Sequence, residues 1–414
     1  MRLPVNANLR NNVIFLTLLQ VANYLSPLLL IPYLLRALGS AEYGTIAIIL
    51  GMVQACYIIT EFGFSQSATA KIAQKANKIK YVSLINGAVV AIKLMICTLC
   101  SIAVCIAIYY QGYGGIDVLI SVIAIIFFQA LQPIWFFNGI EKMGSISIFL
   151  IASKIFYCCL TVLLVSITHK YQSAIYSMAV SSFVGLAISL CFLYKTPYRI
   201  IYCGLKGIKE EFLYSLQFFW ARGAVTLYTS LCVVFVGGFA GVQQASLFSV
   251  CEQIFKAGKA VTAPLCQALY PYLIRTNNWK VFFKLFTITA VIMLIGCGVV
   301  IAISKDILQL VFNLYNPEAN HVLTILVIGV YVSYLSVYFG HLALVPLKKA
   351  NIANNSVIFG AVAFFVVGLI VYLFGEINAV SMAYIILMTE SIIAMIRICA
   401  FLRVYNNTRV TKYE

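Results

Sequence analysis

The chain has 414 residues, 63% of them hydrophobic and only 10% charged, with a mean hydropathy of +1.00. Soluble domains carry about 25% charged residues, and no soluble core could hide this much apolar surface. The net charge of +16 does not imply nucleic acid, because the basic residues mostly lie in short gaps between apolar runs, as the positive-inside rule arranges them.

Runs of about 20 apolar residues indicate helices, whereas barrel strands alternate over about 10. The expected fold class is all-α: a polytopic membrane protein of about twelve spans in two six-helix lobes around a central cavity. The first span follows Arg2 and Arg10, and no small-residue cleavage site comes after it, so it reads as a retained helix and not a signal peptide. The spans are predicted at 12–36, 43–66, 81–109, 116–138, 146–168, 173–195, 213–238, 245–273, 281–303, 321–345, 355–375 and 380–402. Spans three and eight are long enough to tilt or kink, with Pro264 as a cause in the latter.

With the N-terminus inside, 19 of the 28 basic residues fall in cytoplasmic segments, 3 in outer loops and 6 within spans. Both termini are therefore expected in the cytoplasm. The N-terminal lobe is expected over 1–195, a basic cytoplasmic linker over 196–212 and the C-terminal lobe over 213–414. The segment LGSAEYGTI at 38–46 is similar to AGVQQASLF at 240–248, a weak internal repeat joining the first two helices of each half. No loop is long enough for a catalytic domain, so no enzyme and no catalytic residue is expected. The 13 cysteines lie mostly in spans and the histidines show no ligand spacing, so neither a disulfide framework nor a metal or other cofactor is expected.

Charges inside spans need a reason, since each costs roughly 2.5–3.5 kcal/mol at the bilayer centre. The first span aligns Gln20, Asn23 and Pro27 on one face. Span three repeats Asn86, Lys93 and Cys100 every seven residues, and span five does the same with Ser147, Lys154, Thr161 and Thr168. Span four carries Gln129, Gln132 and, at its end, Trp135. Span seven has Trp220 and the stripe Arg222, Thr226, Thr229, Ser230. Span eight places Glu252, Lys256 and Lys259 at i, i+4 and i+7, and span twelve holds Glu390 and Arg397. Lipid cannot satisfy these groups, so the stripes should face one another or a wet cavity. Three of the charges have simpler readings. Arg397, near a helix end, would snorkel to the headgroups, Lys154 could do the same over about 12 Å, and Glu252 would neutralise Lys256. The basic residues nonetheless give a cationic interior suited to an anionic cargo: Arg222, Lys93, Lys154, Lys259 and Lys256. Trp220 and Trp135 offer aromatic faces of the kind that stack on sugar rings, and Gln129 and Asn23 add polar groups to the same walls.

Four segments carry a resemblance to a known family. IPYLLRALGSAEYG (31–44) resembles the junction of the first two helices in bacterial polysaccharide flippases, and EFGFSQSATAKIA (61–73) their next cytoplasmic segment. PIWFFNGIEKM (133–143) is similar to the end of their fourth helix, and FFWARGAVTLYTSL (218–231) to their seventh. The family is the O-antigen translocase (Wzx-type) branch of the multidrug/oligosaccharidyl-lipid/polysaccharide exporter superfamily. The resemblance implies alternating access between two lobes in the bacterial inner membrane. The implied cargo is an undecaprenyl-diphosphate-linked oligosaccharide, with membrane lipids and other polysaccharide assembly proteins as partners. It carries over Arg222 and Glu61. A carboxylate in a low-dielectric cavity can exchange protons, which makes Glu61, Glu252 and Glu390 the candidates for proton or cation coupling. A multidrug antiporter of the same superfamily, or an integral-membrane polymerase or ligase, are the competing readings.

Overall fold

The computed structural model describes residues 7–262, 266, 269, 273–276, 278–347 and 349–410, with side chains except at 7–14, 16, 220–229, 341 and 406–410. Every regular element among the described residues is helical. Nine helical stretches there are long and apolar enough to cross a membrane. The chain is a multi-pass membrane protein.

Two compact units divide at Val234/Phe235. The first opens with α1 (Ala7–Glu61), which is broken at Gly39, so it supplies two of the expected spans. Gly39 has φ 84 and ψ 172, a backbone region open essentially to glycine alone. There follow α2 (Phe64–Gln74), α3 (Ile79–Gln111), α4 (Ile116–Ala130), α5 (Ile134–Gly139), α6 (Met143–Thr168) and α7 (Gln172–Tyr194). Pro133 separates α4 from α5, because proline cannot donate to the preceding turn. The unit's core gathers Phe64, Ile72, Val82, Trp135, Phe137 and Phe149, where α2 and α5 pack on each other. A Cβ at Gly139 would come within 2.6 Å of Ile72.

The segment expected as a linker is coil only to Cys203 and then enters α8 (Gly204–Ala240). The unit boundary falls within that helix.

The second unit continues with α9 (Val242–Ala260), α10 (Trp279–Ala302), α11 (Pro317–Val337), α12 (Ala350–Phe374) and α13 (Ala379–Val410). Caps set two of the starts. Asn278 accepts from Val281 N–H at 3.2 Å, and Asn316, ahead of Pro317, accepts from Glu318 N–H at 2.8 Å. Alpha-helix α11 passes into a π-helical stretch, Tyr338–Leu344. The core here is aromatic: Phe282 lies 4.8 Å from Tyr338 and 5.7 Å from Phe401, ring to ring. The expected kink at Pro264 lies outside the described residues.

The weak repeat has a structural counterpart. Gly241 (φ 88, ψ 173) reproduces the backbone of Gly39. Three residues on, Glu42 Oε2 accepts from Tyr171 N–H at 3.1 Å, just before α7. In the second unit Gln244 Oε1 accepts from Ala379 N–H at 3.1 Å, at the start of α13.

Candidate functional site

The polar stripe of α3 faces inward, and Lys93 is only 1% exposed. Its Nζ lies 3.0 Å from Glu61 Oε2 and donates to the Ala130 carbonyl at 3.0 Å. The ammonium stands 4.6 Å from the Trp135 ring and 5.8 Å from that of Phe64. Glu61 ends α1, and its other oxygen accepts from Ser65 N–H at 2.9 Å in the first turn of α2. Trp135 Nε1 donates to Asn86 Oδ1 at 3.2 Å, one stripe position along. The charge is thus held by a carboxylate, a carbonyl and aromatic faces, the combination that lets a buried cation persist. Glu61 is 20% exposed, so the pair meets solvent through its carboxylate. Trp135, expected as a sugar contact, is buried within this cluster.

Lys154 is different. It is half-buried on α6, and no carboxylate lies within ion-pair distance among the described residues. Its stripe neighbour Ser147 donates to the Phe15 carbonyl at 2.9 Å, so the stripe faces α1. Gln129 Nε2 donates to Ser182 Oγ at 3.3 Å, and Asn23 is half-buried on α1. Arg222 and Trp220 are carried by α8, and their side chains lie outside the described residues.

In the second unit Glu252 and Lys256 pair at 2.8 Å across one turn, as their spacing predicts. Lys259 Nζ lies 2.6 Å from Glu390 Oε1 and 5.1 Å from the Phe255 ring. Each carboxylate named for ion coupling therefore holds a lysine. Two of these partnerships, 61 with 93 and 259 with 390, join distant positions and leave no signal in the sequence.

Arg397 corrects the expectation of snorkelling. It is 4% exposed, because polar groups on neighbouring helices satisfy it where it stands. Nε donates to Ser356 Oγ at 2.9 Å, Nη1 to Ser336 O and Oγ at 3.0 Å, and Nη2 to the Ala353 carbonyl at 3.0 Å. A Cβ at Gly340, in the π-helical stretch, would come within 2.8 Å of this side chain. Sequence reasoning also missed a lock at the start of α8. There Lys71 pairs with Glu211 at 2.7 Å and stands 3.9 Å from the Tyr214 ring. No cluster of metal-ligating side chains occurs among the described residues.

The family described as polysaccharide biosynthesis protein matches residues 9–277. The chain belongs to this family. A relative from Shigella dysenteriae, named "Putative O-antigen transporter", is 24% identical over 394 residues, covering 94% of this chain and 98% of its own. Two solved structures share the fold over 97% of the chain at 12% identity. One is the inward-facing conformation of a multidrug resistance MATE family transporter of the MOP superfamily (TM-score 0.72, 99% of that chain). The other is the lipid II flippase MurJ in an inward closed conformation (TM-score 0.73, 91% of that chain). The chain thus has the all-helical fold of these two structures.

Proposed function

We propose that the protein is a flippase for undecaprenyl-diphosphate-linked O-antigen or related polysaccharide repeat units. It would move them from the cytoplasmic to the periplasmic leaflet of the bacterial inner membrane by alternating access, with twelve spans and both termini in the cytoplasm. The observation that carries this reading is the charge pairing. Glu61, Glu252 and Glu390 each hold a lysine, which leaves Lys154 as a cation with no carboxylate among the described residues. A diphosphate is the part of the cargo that lipid rejects, and a partly dehydrated ammonium or guanidinium stabilises it. Arg222 is the second residue proposed for that contact. Gln129 and Asn23 are proposed for the sugars, with the polyprenyl tail left in the bilayer.

Ion coupling is proposed at the same pairs. A proton arriving at Glu61 would weaken its hold on Lys93 and free a second cation for the diphosphate. An efflux pump for cationic drugs would need an interior carboxylate free to meet its cargo, and each of these three is engaged by a lysine.

The test is deletion in the producing cell, with lipid-linked repeat units followed across the two leaflets. The expected result is their accumulation on the cytoplasmic side and loss of surface polysaccharide. Normal surface polysaccharide in a strain with no second flippase would refute the reading.

A further inference from the structure

The stretch between α7 and α8 is not a free linker but a strap fixed along the start of α3. Ile201 N–H donates to the Ser83 carbonyl at 3.2 Å, and Arg199 N–H donates to Ser83 Oγ at 3.0 Å. The Tyr198 hydroxyl donates to the Ala76 carbonyl at 2.8 Å. Gly87 lets the Ile201 carbonyl approach so closely that any Cβ there would collide with it. The first turns of α8 continue the attachment. Besides the Lys71–Glu211 pair, Ser215 Oγ meets Ser67 Oγ at 2.8 Å, and the Phe212 ring stacks on Phe62 at 4.8 Å.

Among the described residues of the first unit, the opposite face of this strap stands open. Tyr202 is 68% exposed, Leu205 79% and Leu213 52%. Lys206 and Lys209 are exposed beside them. Leu205, Lys209 and Leu213 stand at i, i+4 and i+8, one line along the helix. Apolar and basic side chains on one exposed line, in the turns of α8 that precede the predicted span at 213–238, suit the boundary between headgroups and acyl chains, where lysine reaches the phosphates. The location agrees. The strap runs against the first turns of α3, a helix of 33 residues, when about 20 suffice to cross the hydrocarbon core. Lys75, Lys78 and Lys80 cluster at the start of that helix, which places those first turns at headgroup level. Its charge is also one-sided. Glu211 is turned inward onto Lys71, which leaves Glu210 as the one exposed acid beside Lys206, Lys209 and Arg199.

We infer that the outer face of residues 199–213 is a docking surface for anionic phospholipid. Tyr202, Leu205 and Leu213 enter the boundary between headgroups and acyl chains, while Lys206 and Lys209 pair with headgroup phosphates. This surface stands on the geometry of the strap and does not depend on the cargo.

The test uses the full chain in nanodiscs of equimolar phosphatidylcholine and phosphatidylglycerol. A photo-crosslinking benzoylphenylalanine replaces Leu205, and in a second preparation it replaces Leu294, an exposed residue within α10. At 294 the captured lipids should follow the bulk ratio. At 205 phosphatidylglycerol should be enriched about fivefold or more, the worth of one basic residue near an anionic surface. Lys206→Glu with Lys209→Glu should return position 205 to the bulk ratio. If that protein fails to insert, Lys206→Gln with Lys209→Gln should lower the enrichment in the same direction. Capture of protein in place of lipid, capture at the bulk ratio, or enrichment unchanged in the lysine variants would each overturn the inference.

Discussion

Removing the Glu61 carboxylate would strand the Lys93 ammonium against Trp135, Phe64 and a single carbonyl. Breaking a buried pair from one side typically costs about 3–5 kcal/mol. Glu61→Gln should therefore lower the unfolding temperature in detergent markedly. Glu61→Leu combined with Lys93→Met should recover most of the loss, because similar apolar volume then replaces both charges. Lys154 should behave in the opposite way. No carboxylate pairs with it among the described residues, so Lys154→Gln should leave thermal stability unchanged and reduce cargo movement in a leaflet-resolved flipping assay. A fall in stability with transport intact would place Lys154 among the structural residues. The seven-residue stripe made Lys93 legible as a buried cation, and i, i+4 spacing made the Glu252–Lys256 pair legible. The partners of Lys93 and Lys259 were not, because helix packing alone brings residues 61 and 390 to them.

At the level of elements, the two glycine joints offer an internal control. Glu42 and Gln244 make the same acceptor bond to the start of a later helix, α7 in the first unit and α13 in the second, one as a carboxylate and the other as an amide. Glu42→Gln should therefore be tolerated, since an amide oxygen already does this work in the second unit. Glu42→Ala should cost about 1 kcal/mol, the usual net value of a lost hydrogen bond. It should also speed hydrogen exchange at the Tyr171 amide; equal exchange in the two variants would count against the joint. Gly39→Ala should be the more severe change, because its φ of 84 with ψ 172 is closed to alanine. The helices themselves were legible from apolar run length, and the ends of α3, α6, α7 and α10 fall within three residues of the predicted spans. The extension of α8 back to Gly204 was not legible. Its first turns are too polar to read as a span, and they pack on α2 through Glu211 and Ser215 and on Phe62, just before α2, through Phe212.

Across the whole molecule, both units hold an ion pair beside aromatic rings. The second adds a different tie, with Arg397 joining α11, α12 and α13 through neutral oxygens. Lysine cannot reproduce that fork, since one ammonium cannot span three helices with planar geometry. Arg397→Lys should thus destabilise nearly as much as Arg397→Ala, read as the temperature at which the detergent-solubilised protein aggregates. Rescue by lysine would mean that charge alone matters there. Composition made the membrane class legible and the four quoted segments the family. They did not reveal that interior carboxylates and lysines cancel one another, because charge counts carry no distances.

That cancellation has an electrical consequence. A transmembrane voltage does work only on net charge, about 2.3 kcal/mol for each elementary charge carried across 100 mV. A lysine and a glutamate that travel together contribute nothing to that work, whereas an ammonium without a counter-charge contributes in full. In the proposed alternating access, pairs that moved as units would let helices shift without resistance from the field, and voltage sensitivity would fall on cations such as Lys154. Cargo phosphates would cancel those as well, so the loaded protein would feel the membrane potential less than the empty one.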